Sequence, residues 1–273
     1  NSSTDQLNLI AKYNGSVPKG GAFWRYILMD YPIRHVDLLE QLLYPDWYTA
    51  CFVKEPMHSA MWSVYGDSHK GVCLKFRSQP NANGPQGINL LTRTSLSGGK
   101  GKNVYHSSDV IHAFHPVRYV QRFVEIDFFR SLGRLTKPAL NHWYSDPEKG
   151  ASPVSRDILA ETDAWRKQYW ENSLSAMTAK TPDWSYECEH RLVLQSVFDL
   201  TDRDSRKLKY NFSDLQGIIF GTKTTTANKL EIMKIIEEKC RQANRPNFEF
   251  FQAMYSAETG TLIAAPMSLV KFN

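Results

Sequence analysis

The sequence predicts an α+β fold, with a mixed or antiparallel sheet core and helices packed on it. Three observations predict it: strand-like runs outnumber helical ones, the two kinds do not alternate as βαβ units require, and 273 residues that are 42% hydrophobic can bury a large core. After a polar start, residues 23–27 (FWRYI) read as a short aromatic strand, and Ile33, Val36, Leu39, Leu42 and Leu43 fall on one helical stripe. Strand-like pieces follow at 49–53, 61–65 and 71–76, the last two separated by a turn that opens at Gly66-Asp67. Residues 79–103 are rich in Gly, Pro, Asn and Ser and read as a long exposed loop. Strand candidates at 104–105 and 117–120 precede a helix expected around 122–132. A second helix is expected from an N-cap at Ser155 to about Met177. Thr181-Pro182-Asp183 ends it before a strand over 184–198, and 201–209 is a solvated link. A buried strand at 217–221, an amphipathic helix over 227–243 through Leu230, Met233, Ile236 and Cys240, and closing strands at 248–255 and 268–272 complete the chain.

Composition excludes several classes. The chain is 12% aromatic and 22% charged, outside the low-hydrophobicity regime of disorder. Its charge of +5 is spread along the chain and forms no basic stripe, so nucleic acid is not an expected partner. No apolar run approaches the roughly 18 residues that cross a bilayer, and the first twenty residues lack the plan of a signal peptide, so a soluble protein is expected, with no membrane partner. Cys51, Cys73, Cys188 and Cys240 are far apart and form no C-x-x-C pair; reduced, mostly buried thiols in a reducing compartment are the simplest expectation.

Several motifs fail on inspection. Gly98-Gly99-Lys100-Gly101-Lys102 lacks both the upstream glycine and the Ser or Thr of a phosphate loop. His106, His112 and His115 have only Asp109 for company and no H-E-x-x-H occurs, so no metal is expected. There is no G-x-S-x-G elbow.

Two segments survive. In Trp184-Ser185-Tyr186-Glu187-Cys188-Glu189-His190-Arg191, strand geometry would put Glu187, Glu189 and Arg191 on one face, with like charges about 7 Å apart and Arg191 as the available counter-charge. An exposed ion-pair row is the plain structural explanation. In the second segment, Trp62, Tyr65 and His69 gather three rings around a turn, either the wall of a pocket for a flat ligand or an aromatic core corner.

Together, W-x-x-Y-x-x-x-H-x-G-V-x-L-x-F from Trp62 and W-x-Y-E-x-E-x-R-L-V from Trp184 resemble a large bacterial family of domains of unknown function. That family is similar in layout to mono-ADP-ribosyltransferases of the arginine-serine-glutamate class, and the resemblance spans roughly residues 20–225. It implies an ADP-ribosyltransferase-like fold over one domain, 1–273, with NAD as co-substrate and no metal. It also implies an enzyme that cleaves NAD and transfers ADP-ribose to a side chain of a target protein, arginine favoured, as a bacterial effector or toxin in the bacterial cytoplasm or delivered into a target cell. Glu189 would be the catalytic glutamate and Glu187 the upstream acid that goes with arginine acceptors. Arg25 would hold the NAD phosphates or ribose, and Ser63 would brace the carboxylate, although the class has Ser-Thr-Ser where this chain has Trp62-Ser63-Val64. Tyr65 and His69 match the family pattern and would stack on nicotinamide or order the loop.

The chemistry agrees with these residue types. Cleaving the nicotinamide-ribose bond develops an oxocarbenium-like ribose, which a carboxylate on the 2′-hydroxyl stabilises. A second carboxylate can orient a guanidinium and take its proton. The competing expectations are an NAD glycohydrolase, a non-catalytic nucleotide- or protein-binding module, and a nucleic-acid binder using Arg25, His69 and the 98–102 turn.

Overall fold

The computed structural model describes residues 47–81, 84–99, 102–125, 127, 130–195 and 200–267. Arg25, the strands expected at 23–27 and 268–272 and the helical stripe of 33–43 lie outside the described residues. In chain order the elements are β1 (Trp47–Val53), α1 (Ser59–Val64), β2 (Val72–Phe76), β3 (Gln79–Asn81), β4 (Gly84–Gly99), β5 (Lys102–Pro116), β6 (Arg118–Tyr119), α2 (Lys137–Tyr144), β7 (Ser145–Asp146), β8 (Gly150–Ala151), α3 (Arg156–Ala160) and α4 (Thr162–Met177). They continue with β9 (Ala179–Lys180), β10 (Glu189–Gln195), β11 (Lys209–Tyr210), β12 (Leu215–Phe220), α5 (Thr226–Gln242), β13 (Glu249–Tyr255) and β14 (Leu262–Pro266). The chain divides into two compact units, one of residues 1–46 and 122–177, the other of 47–121 and 178–273.

The larger unit holds two main sheets. One runs β1-β10-β5-β4-β11 with β3 against β4 and is antiparallel throughout; the other runs β14-β13-β12-β2 and is mixed, because α5 carries the chain from β12 to a parallel β13. The expected mixed or antiparallel core with packed helices is therefore present. β12 (LQGIIF) is buried on both faces. Ile218 and Phe220 pack with Ile236 and Cys240 of α5, while Ile219 packs with Trp62 of α1, Ala253 and Leu262. Thr225 caps α5 by accepting from the Asn228 amide at 3.2 Å. Leu230, expected on the buried stripe, is exposed. Ile88, Leu90 and Leu192 form the core of the antiparallel sheet with Phe52, Phe76 and Phe114.

Several expectations are overturned. Residues 79–103 are not a loop: β4 and β5 pair along their length as a long hairpin, from Gly87↔Ala113 to Gly99↔Lys102. Gly87 permits close pairing, since a Cβ there would lie 2.2 Å from the His112 carbonyl oxygen. Residues 61–65 are not a strand but the body of α1 and its C-cap. Five residues (MWSVY) are too few to show a period, and Trp62 is the buried residue of the helix. The strand expected over 184–198 begins only at Glu189, because Pro182–Glu187 forms a 3₁₀ turn and Cys188 is left-handed, with φ 45°.

In the smaller unit, Leu132, Leu140, Tyr144 and Ile158 make a core with Trp165 against it. The helix expected around 122–132 is absent among the described residues. Carbonyls at its end and just beyond are taken by side chains of α4: Trp165 Nε1 donates to Arg130 (2.9 Å), and Arg166 to Gly133 (3.1 Å) and Leu135 (3.0 Å). The helix expected over 155–177 breaks at Glu161 into α3 and α4, and the buried Ser155 hydroxyl does not cap it but donates to the Ser152 carbonyl.

Candidate functional site

The site is assembled by three short pieces of the larger unit. β6 and β9 pair in parallel, Tyr119 opposite Lys180, and the Val120 amide fixes the Lys180 carbonyl at 2.9 Å. The 3₁₀ turn from Pro182 then brings Glu187 back over Lys180, and the left-handed Cys188 redirects the chain into β10. The Glu189 amide donates to the Tyr119 hydroxyl at 2.9 Å. Beside β10, antiparallel β1 sets Cys51 opposite Arg191 and Val53 opposite Glu189.

This folding buries both carboxylates, leaving Glu187 2% and Glu189 4% exposed. Neither stands on the exposed sheet face that a plain ion-pair row requires. Burial at this depth is costly unless each charge is compensated. Lys180 Nζ bonds Glu187 Oε2 and lies 3.3 Å from Glu189 Oε2. Arg191 Nε donates to Glu189 Oε1 at 2.8 Å and the Tyr65 hydroxyl to Glu187 Oε1 at 2.8 Å. Lys180 also sits 4.6 Å from the centre of the Trp184 ring. Burial alone would raise the Glu189 carboxyl; the Arg191 guanidinium, the Cys51 thiol and the Lys180 charge overcome it and hold it down at about 2. Cys51 is exposed as a residue, yet its thiol is desolvated at the cleft and bonded to Glu189, which pushes it up to about 11. The Tyr65 hydroxyl is likewise raised, chiefly by donating to Glu187.

Glu187, Glu189, Lys180 and Arg191 line a cleft of about 510 Å³ whose walls include Trp62 and Tyr65. A group that needs an ionised carboxylate beside aromatic and apolar surface fits there. Of the residues expected from the sequence, the structure brings together Glu187, Glu189 and Tyr65. Ser63 is exposed and is not in the lining; its carbonyl accepts from the Ser68 amide. His69 is also outside the lining, the third of three consecutive left-handed residues (Asp67, Ser68, His69). Its amide donates to Trp62 and its carbonyl accepts from Lys223, so its backbone orders the turn. Lys180 and Cys51 were missed: no spacing links residue 51 or 180 to the E-x-E pair, and only the pairing of β1 with β10 and of β9 with β6 puts them there. Among the described residues, no group of three His, Cys, Asp or Glu side chains could hold a metal ion, and no helix is long and apolar enough to cross a membrane.

Neither the curated proteins nor the solved structures contain a significant match to this chain. Over residues 61–192, just under half the chain and a span that includes Tyr65, Lys180, Glu187, Glu189 and Arg191, the sequence matches a domain family described as "Protein of unknown function (DUF2971)".

Proposed function

We propose that the protein is a bacterial mono-ADP-ribosyltransferase, an effector or toxin that cleaves NAD and transfers ADP-ribose to a target protein, with arginine as the favoured acceptor. One observation carries this reading: Glu189 is buried, yet held ionised, on the wall of an aromatic-lined cleft, with a second carboxylate two residues away. In the proposed reaction the nicotinamide-ribose C–N bond breaks and its electron pair leaves with the nicotinamide nitrogen, which becomes neutral. Glu189, bonded to the ribose 2′-hydroxyl, stabilises the positive charge that develops on C1′. A guanidinium nitrogen gives its proton to Glu187 and its lone pair forms the new bond to C1′. Tyr65 and Lys180 hold Glu187 in place for that transfer, and the 3.3 Å contact from Lys180 to Glu189 is the one the ribose hydroxyl replaces.

The test is incubation of the full chain with NAD labelled in its adenylate phosphate together with a cell lysate. A labelled protein band that disappears in Glu189→Gln supports transfer. Free nicotinamide without a labelled band leaves the glycohydrolase, and absence of NAD turnover sinks both. A second reading, a non-catalytic binding module, is favoured by one specific observation: the charges of Glu187 and Glu189 are already met by the chain's own Lys180 and Arg191. It expects NAD or another ligand to bind without turnover, which calorimetry would register.

A further inference from the structure

We infer that a second cavity of the larger unit, walled by both of its main sheets, binds a medium-chain carboxylate, with the alkyl chain inside and the carboxylate at the mouth. The inference stands apart from the transferase reading, since none of Lys180, Glu187, Glu189 and Arg191 is in the lining. The cavity measures about 680 Å³. Protein interiors pack at crystal-like density, so a space of this size leaves its walls without partner atoms unless something fills it. Those walls are apolar where they are deepest. Phe52, Phe76, Phe114 and Phe251 contribute rings, and Ile219 is only 3% exposed. The Cys73 thiol lines the same wall, and burial pushes it up. Water bonds such a surface poorly, whereas an alkyl chain gains from being buried against it.

The polar lining determines the headgroup. Among the described residues no Asp or Glu lines the cavity. Of its two lysines, Lys75 is already neutralised, bonded to Glu249 at 2.9 Å and lying over the Phe251 ring. Lys54 is exposed and has no ion pair or hydrogen bond among the described residues, so its positive charge is uncompensated. Beside it in the lining, the Ser78 hydroxyl donates to Gln86 Oε1 at 2.9 Å. Both hydrogens on Gln86 Nε2 are thereby left as donors without a partner among the described residues. His190 spends its Nδ1–H on the Cys188 carbonyl at 3.2 Å and offers no fixed donor. The lining thus supplies one free cation and one free amide, which meet an anionic oxygen and reject an ammonium. A single positive charge is balanced by a carboxylate and not by a phosphate dianion. Lys54, Ser78 and Gln86 are all exposed while Ile219 is buried, which puts the polar groups at the mouth and the apolar surface behind them.

The probes are octanoate, decanoate and dodecanoate, titrated calorimetrically into the full chain below their micellar concentrations. One site per chain is expected, with affinity rising about three- to four-fold for each added CH₂. Decanol and decylammonium should bind at least ten-fold more weakly than decanoate. Lys54→Gln should weaken decanoate at least five-fold and leave decanol unchanged. Ala264→Leu, which adds bulk from the lining, should weaken acid and alcohol alike by at least ten-fold. Absence of binding by all three acids, affinity indifferent to chain length, several weak sites per chain, or decylammonium binding as tightly as decanoate overturns the inference. Should Ala264→Leu fail to fold, the chain-length series and the headgroup comparison on the wild-type chain decide. NAD turnover is read in none of these titrations, so their failure leaves the transferase reading where it stands.

Discussion

Glu189 shows how one side chain is kept charged where burial opposes charge. Its carboxyl is held at about 2, below the ordinary 4.5, so the folded state favours the ionised form. That preference contributes about 3 kcal/mol, fully present above pH 4.5 and lost as pH falls toward 2. Urea midpoints measured between pH 6 and 2.5 should decline accordingly, and Glu189→Gln should flatten that part of the curve. In the proposed reaction the same variant should lower NAD turnover by about a hundred-fold or more, read as nicotinamide release. Lys180→Met leaves Glu187 buried without its cation and should cost about 3 kcal/mol in denaturant unfolding. Cys51, with its thiol near 11, should alkylate slowly with iodoacetamide at pH 8 despite its exposure, and faster in Glu189→Gln. The E-x-E pair and Tyr65 were legible because their spacing is local. Lys180 and Cys51 were not, because nothing in the run of residues marks which cation or thiol lies across a pairing.

Elements were legible where one chemical pattern dominates a segment. β12 is apolar and buried except at Gln216, α5 has a cap and a stripe at Ile236 and Cys240, and β13 follows it closely; all three stand within two residues of their expected bounds. α1 and the β4–β5 hairpin were not, and for opposite reasons. Met61 to Tyr65 is apolar enough for either state, while 79–103 is polar enough to look like neither. Pairing with a long partner strand stabilises the hairpin despite its glycines. The turn before β2 makes a sharper demand. A Cβ on Gly221 would sit 2.2 Å from the His69 carbonyl oxygen and 3.0 Å from that of Gly71, both backbone atoms that cannot swing away. Gly221→Ala should therefore cost more than about 2 kcal/mol, whereas Thr225→Ala, which removes only the α5 cap, should cost about 1 kcal/mol; thermal melts of the two variants would separate them.

At the scale of the molecule, residues 122–177 leave and rejoin the larger unit at adjacent points, since the Arg118 amide donates to the Thr178 carbonyl at 2.8 Å. Replacing 122–177 with a short Gly/Ser linker should leave the larger unit with a single cooperative melt, and loss of cooperative unfolding would show that it does not fold without the insertion. The sequence by itself determined the α+β class, the apolar strand and helix around β12 and α5, and the paired carboxylates, because local composition and spacing specify them. Only the tertiary structure decided that the carboxylates are buried rather than on an open face, and that Lys180 and Cys51 join Arg191 in holding them. Those features arise from strand pairing between segments far apart in the chain, whose free energy is set by contacts that no single segment encodes.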